Sequence, residues 1–168
     1  MSVSADALRE HLAYTTWASR RLMDVASQLS PEELNHDFQT ADRTILGTLV
    51  HVFAADRIWL ARVNHAANQP FLTDADRSLA VLQTEWPAVL DRWREFASKL
   101  TDATARENLD YKDTRGNPYR QPLWQIILHV VNHGTHHRGQ VSGFLRTLGH
   151  TPPPLDLTAY YREQTAHA

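Results

Sequence analysis

Four of the ten histidines lie close together in the last third of the sequence, at His129, His133, His136 and His137. His133 and His137 are four residues apart. On an α-helix, side chains at i and i+4 share one face about 6 Å apart, so such a pair can bind one metal ion. The spacing alone is weak evidence, because ten histidines in a chain of this length give about half of one such pair by chance.

The helical pattern around these histidines distinguishes one pair from the others. At about 100° per residue, His137 lies about 40° and His133 about 80° from the centre of the apolar stripe, while His129 and His136 lie about 120° and 140° away. We therefore expect His133 and His137 to turn toward the core and bind a metal, because buried imidazoles without partners cost several kcal/mol. His129 and His136 are expected at the hydrated surface. Gly134, beside the pair, is expected to leave room for a neighbouring backbone or a ligand. The stripe consists of Ile126, Ile127, Val130, Val131, Gly134, Val141, Phe144, Leu145 and Leu148.

A catalytic zinc site usually has three protein ligands and keeps its fourth position for water or substrate, so a third ligand is needed. The chain has no cysteine, so the ligand must be His, Asp or Glu. A second predicted helix offers His51 and Asp56. That helix is apolar almost all round, so its pattern does not decide between them. Small residues on the side of His51 favour it slightly, since they leave space beside the imidazole, although a lone histidine in a buried helix is more often a core residue. These are Gly47, Thr48, Ala54 and Ala55.

Four long helical patterns carry these candidate residues. Apolar residues at helical spacing predict helices over about 5–29, 44–65, 74–100 and 122–148. Pro87, inside the third pattern, predicts a kink or two helices that meet there.

Shorter features separate the long helices. Ser30, Pro31 and Glu33 have the N-cap, first-turn proline and capping-box pattern of a short helix. Residues 101–120 are poorly helical and predict an extended excursion, with a turn at 115–118 that is compatible with a short hairpin. The tail at 155–164 is compatible with one more short helix.

These elements predict an all-α four-helix bundle that forms a single domain over residues 1–168. The hydrophobic fraction is 42% and the charged fraction 21%, which is typical of a globular protein. With a net charge of −2, the chain lacks the excess of basic residues that is typical of nucleic-acid-binding proteins. We see neither a signal peptide nor an apolar run of about 20 residues, so we expect no membrane contact and a cytoplasmic location.

The sequence also resembles the DinB/YfiT-like family over nearly its whole length. The matching residues are 16–23, 45–51, Trp59, the excursion at Gly116, 132–140 and 148–153. Members of that family are four-helix bundles regarded as metalloenzymes, and they include thiol-dependent S-transferases. The resemblance implies that His51 on the second helix is the first metal ligand. It implies that His133 and His137 are the other two, in an H-x-x-x-H-R-G-Q pattern that ends at Gln140.

The resemblance and the ligand types together predict a divalent-metal protein that acts on small molecules. Three imidazoles favour Zn²⁺, with Ni, Fe, Mn or Cu as alternatives. A thiol bound to such an ion is deprotonated, which suits a thiol S-transferase with a small-molecule thiol as co-substrate. The family name also connects the chain with a stress response, and a homodimer is compatible with such a bundle. Residues with catalytic roles beyond the ligands are not assigned.

Two other functions remain open at this stage. A metal-dependent hydrolase would activate water instead, although no acidic residue lies beside the ligands in the sequence. A non-enzymatic, stress-related metal-binding bundle would be favoured if a fourth ligand such as His129 or Asp56 reached the ion. A ferritin-like di-iron site is unlike this sequence, because the fourth helix lacks the acidic ligands that it requires.

Overall fold

The computed structural model of the chain describes residues 3–66, 72–73 and 76–166. Its helices are α1 (Ala5–Ala26), α2 (Pro31–Leu34), α3 (Ile45–Val63), α4 (Leu79–Ser98), α5 (Asp102–Arg106), α6 (Leu123–Thr147) and α7 (Leu157–Ala166). Between α5 and α6, strands β1 (Asn108–Lys112) and β2 (Pro118–Pro122) form an antiparallel hairpin.

The long helices α1, α3, α4 and α6 form the predicted four-helix bundle. Helix α1 packs on α4 and α6, and α3 packs on the same two helices. Helices α1 and α3 therefore occupy opposite corners, and the connections from α1 to α3 and from α4 to α6 each join diagonal partners. The core contains large side chains from all four helices: Leu8, Leu12, Leu22, Ile45, Leu49, Phe53, Leu60, Leu82, Trp86, Leu90, Trp93 and Ile126.

Polar caps fix where several of these helices begin. The side chains of Ser4, Thr44 and Ser78 accept a hydrogen bond from the backbone N–H three residues further on. This satisfies one of the N–H groups that a helix leaves without an internal partner. The predicted capping box of Ser30 and Glu33 is confirmed at the start of α2. The cap at Thr44 sets the start of the helix that carries His51.

The structure differs from the sequence predictions in the middle of the chain. Helix α4 begins only at Leu79, and residues 74 and 75, where a start was predicted, lie outside the described residues. It continues through Pro87 to Ser98, so the alternative of two separate helices is wrong. A proline removes a single backbone donor, and the buried side chains of Trp86 and Trp93 hold both halves of α4 against the core.

The poorly helical stretch contains the expected hairpin and, before it, helix α5, which the sequence did not predict. The hairpin pairs Asn108 with Pro122 and Tyr111 with Tyr119. Helix α6 has no side-chain cap. Instead, the N–H of its first residue, Leu123, donates to the carbonyl of Glu107 at 2.8 Å, so the hairpin closes onto the start of α6.

The C-terminal helix α7 packs on α1, where the side chain of Tyr160 is buried. Within the described part of the chain, no helix combines the length and the apolar character needed to cross a membrane.

Candidate metal centre

Three histidine side chains converge between α3 and α6. The Nε2 atoms of His51 and His133 are 3.0 Å apart, and the ring of His137 lies 4.5 Å from each of the other two rings. One nitrogen from each ring falls within 4.8 Å of the others. In a tetrahedral zinc site with Zn–N distances near 2.0–2.1 Å, ligand nitrogens are about 3.3 Å apart. The three imidazoles therefore have a spacing that could hold one ion.

The antiparallel arrangement of two helices brings these residues together. His51 contacts His133 and His137, while Trp59, further along α3, contacts His129, which comes earlier on α6. His133 and His137 are one helical turn apart and face α3 on the same side of α6. Helix α6 thus supplies two neighbouring imidazoles and α3 supplies the third.

The surroundings of the cluster keep His133 and His137 neutral. Burial, reinforced by the neighbouring imidazoles, lowers the pKa of His133 to about 3. Burial also lowers the pKa of His137. Neutral rings at neutral pH present the lone pairs that a metal ligand requires. The side chain of His51 is 44% exposed and that of His137 only 12%, so the cluster is open to solvent on the side of His51.

The Nδ1 atoms of two of these histidines face polar partners. The Nδ1 of His137 lies 2.7 Å from Oε1 of Gln140, so an N–H on Nδ1 can donate to the amide oxygen and leave the Nε2 lone pair free. Asp42 lies against both rings, with one carboxylate oxygen 3.6 Å from Nδ1 of His137 and the other 3.8 Å from Nδ1 of His51. Asp42 could not be recognised from the sequence, because a loop residue before a helix carries no periodic signal.

The position of Asp42 depends on the start of α3. A Cβ atom at position 47 would collide with the carbonyl oxygen of Asp42, so only glycine allows the loop to pass this close. Arg43 has a left-handed backbone with φ of 62°, and the N–H of Thr44 donates to the Asp42 carbonyl at 2.7 Å. Gly47 was expected to leave space beside the imidazole of His51. The backbone of the loop at Asp42 occupies that space instead.

Asp56, the competing candidate ligand, lies elsewhere. Its carboxylate accepts a hydrogen bond from the indole N–H of Trp86 at 2.9 Å, and its backbone carbonyl accepts one from Trp93 at 3.1 Å. The residue is only 3% exposed, and burial raises its pKa to about 6. Asp56 therefore belongs to the interface of α3 and α4 rather than to the histidine cluster.

The remaining histidines of α6 lie outside the three-residue group, in the order that the helical wheel predicted. His129 is exposed and packs edge-on against Trp59, with its ring 5.8 Å from that of His133. His136 is exposed as well. Neither supplies a fourth ligand to the group found among the described residues.

Arg138, next to His137, is a buried residue that the sequence analysis missed. It is 2% exposed, and its guanidinium donates to the hydroxyls of Thr15, Ser19 and Thr135 between α1 and α6. A Cβ atom at Gly134 would lie 2.5 Å from Nη1 of Arg138. Gly134 therefore makes room for the arginine side chain, and the expectation of room for a neighbouring backbone or a ligand is wrong.

A cleft of about 270 Å³ adjoins the exposed side of His51. Asp42 and Arg77 give it two charged groups, and its apolar walls come from Val50, Ala54 and Leu72. Ligand sites typically combine such apolar walls with a few polar groups.

Comparison with known proteins agrees with this architecture. A model of the DinB family matches residues 1–167. The chain belongs to the DinB family. It is 24% identical to the protein DinB of Bacillus subtilis (strain 168) over 157 residues, which cover 88% of this chain and 89% of that protein. The crystal structure of a DinB-like protein from Bacillus cereus ATCC 10987 has a TM-score of 0.57 and 21% identity, and the match covers 92% of this chain and 99% of that one. At this identity, the likeness to the crystal structure shows the DinB-like fold alone.

Proposed function

We propose that His51, His133 and His137 bind one divalent first-row metal ion and that the protein is a thiol S-transferase acting on small molecules. The observation that carries the proposal is the convergence of the three imidazoles beside an open cleft. Membership of the DinB family supports it, since the resemblance to that family implies the same three ligands.

The donor set fits a borderline metal such as zinc. Imidazole nitrogen is a ligand for Zn²⁺, Ni²⁺ and Fe²⁺, and the three rings provide no negative charge of their own. Zn²⁺ is our first choice, with Ni, Fe or Mn as alternatives. When bound, the ion supplies a positive centre that lowers the pKa of a coordinated thiol or water.

The residues of the chain itself have three tasks in this proposal. The histidines fix the ion at the junction of α3 and α6, and the low exposure of His137 shields one side of it from bulk water. Val50, Ala54 and Leu72 would hold the apolar part of a small molecule beside His51, and Arg77 would face any negative group that it carries. The thiol must come from a co-substrate, since the chain has no cysteine.

The two alternatives have less support. A hydrolase needs a general base near the activated water. The carboxylate of Asp42 lies against the Nδ1 atoms of His51 and His137, and not at the Nε2 atoms through which His51 meets His133. A purely structural zinc site usually has four protein ligands, and among the described residues only three converge. We place the activity in the cytoplasm, with small-molecule partners and a link to stress responses, and with neither nucleic acid nor a membrane as a partner.

The decisive experiment combines metal analysis with thiol consumption. Purified protein is stripped with a chelator, reloaded with Zn²⁺ or Ni²⁺, and incubated with small thiols and electrophiles such as epoxides and chlorinated aromatics. We expect one ion per chain and thiol consumption that His137→Ala abolishes. One ion per chain with no turnover of any pair would overturn the transferase and favour the structural alternative.

A further inference from the structure

Asp42 places a carboxylate beside the Nδ1 atoms of two histidines of the cluster. Its two carboxylate oxygens diverge, one toward His137 at 3.6 Å and the other toward His51 at 3.8 Å. Asp42 is itself partly buried, with 23% of its side chain exposed. A single carboxylate thus faces one ligand from each of the two helices that form the site.

His51 meets His133 through its Nε2 and turns its other ring nitrogen, Nδ1, toward Asp42. The contact between His51 and His133 joins their Nε2 atoms, and the Nδ1 of His137 already faces Gln140. Metal-ligating histidines almost always donate their second ring N–H to a carboxylate, a carbonyl or water, which fixes the tautomer and strengthens the ligand. At 3.6 and 3.8 Å, the Asp42 carboxylate lies just beyond hydrogen-bond distance of both Nδ1 atoms, and the Nδ1 of His137 already has Gln140 as its partner. Its negative charge therefore acts on both rings, and a small rotation of the His51 ring would let the Nδ1–H of His51 donate to it.

The loop before α3 holds Asp42 in this place by several independent contacts. Gly47 lets the Asp42 carbonyl approach α3, and Arg43 pairs with Asp37 across the loop. Phe38 donates its backbone N–H to the carbonyl of Arg43 at 2.8 Å and stacks on Phe144 of α6, with ring centroids 4.1 Å apart. The loop is therefore anchored to both helices that carry the ligands.

From this geometry we infer that Asp42 is a positioning residue for the metal centre. Its negative charge favours an N–H on the Nδ1 of His51, so that this ring binds through Nε2, and it balances part of the charge of the ion. Gln140 complements it by fixing the tautomer of His137. This inference rests on the proposed metal site and adds a residue that neither the ligand pattern nor the family match assigns.

The test is Asp42→Asn, which keeps the shape of the side chain but leaves one acceptor oxygen instead of two. The matched control is Asp110→Asn on β1, which removes a carboxylate that faces Arg120 rather than a histidine. The affinity for Zn²⁺ is measured by competition with a chromophoric chelator. The visible absorption of the Co²⁺ form reports the geometry of the ligands, and the melting temperature of the chelator-treated protein reports folding.

We expect Asp42→Asn to weaken Zn²⁺ binding roughly 10- to 100-fold, the usual effect of losing such a partner, and to change the Co²⁺ spectrum. The melting temperature of the metal-free protein should stay close to that of the Asp110→Asn control. Unchanged affinity and spectrum would overturn the role of Asp42 and leave the metal site intact. A drop in melting temperature with an unchanged spectrum would reduce Asp42 to a structural residue. Absence of metal binding in the unmodified protein would overturn the proposed function and this inference together.

Discussion

At the scale of single residues, the proposed metal binding requires histidines that stay neutral. His133 is the extreme case, because its ring lies partly buried among three other imidazoles, those of His51, His129 and His137. Protonating it would place a charge where solvent is scarce and the neighbouring rings offer no negative charge. Because protonation is costly in the folded protein, the ring stays neutral and keeps a lone pair that could bind a metal.

Removal of any one ligand should empty the site. We expect His51→Ala, His133→Ala and His137→Ala each to lose most of the bound metal, because two imidazoles hold a divalent ion far less tightly than three. His129→Ala and His136→Ala are matched controls on the same helix and should keep it. Metal content by mass spectrometry checks this, and full occupancy in one of the first three variants would remove that residue from the site.

The stability of the metal-free protein should fall as the pH drops from about 6.5 toward 3. In the unfolded chain His133 takes up a proton near pH 6.5, whereas in the fold it does so only near pH 3. Between these values the unfolded state binds more protons, so acid favours unfolding. The lowered pKa of His137 acts in the same direction. Melting temperatures recorded from pH 3.5 to 7.5 should show a shallower acid loss in His133→Gln, and parallel curves would contradict the assignment.

At the scale of elements, the loop before α3 and the start of α3 act as one unit. A methyl group at position 47 has no space, because the obstacle is backbone rather than a movable side chain. Gly143, in the exposed part of α6, is different, since a Cβ atom added there would meet nothing within 4 Å. The backbone of Asp42 constrains position 47, whereas position 143 has room for a side chain. Substitution by alanine should therefore lower the stability of the protein at position 47 but not at position 143.

We expect Gly47→Ala to destabilise the protein by ~1–3 kcal/mol, as overpacking does, and to weaken metal binding by displacing Asp42. Gly143→Ala should be neutral or stabilise by up to ~1 kcal/mol through helix propensity. Urea unfolding of both variants measures this. Equal stability of the two would show that the loop can move away without cost.

The elements also show what a sequence can and cannot reveal. Caps such as Ser30 with Glu33 act locally, so they predicted helix starts correctly, and the four-residue spacing placed His133 and His137 on one face. Asp42 could not be found this way, since its role arises from a loop folded back onto a helix. Arg138 did leave a signal, because it occupies the buried stripe between Gly134 and Val141, where a charge needs hydroxyl partners from another helix. That the three histidines bind metal stays a prediction.

At the scale of the whole molecule, the described core contains no histidine, so we expect the fold not to depend on a metal ion. Fully buried side chains from all four long helices, including Phe53, Trp86 and Trp93, surround the bundle axis without any contribution from the histidines. Metal binding should therefore add stability by mass action rather than create the fold. Whether two copies associate is a separate prediction, to be checked by sedimentation.

Chelation should leave the helical content intact and lower the melting temperature only by the lost binding energy. At a free metal concentration of 100 times the dissociation constant, that energy is about 2.7 kcal/mol. Far-UV circular dichroism with and without chelator measures the first part, and melting temperature against metal concentration measures the second. Loss of the helical signal on chelation would show that the ion is needed for folding.

His51 and His133 are 82 positions apart in the chain. An ion bound by both would close a long loop. The loss of chain entropy on closing that loop opposes the approach of the two ligands. Two ligands on α6 are available as soon as that helix forms, but the third arrives only when α3 docks. In a refolding experiment, the visible absorption of bound Co²⁺ would therefore report when α3 docks on α6. Far-UV circular dichroism would report the earlier formation of either helix separately.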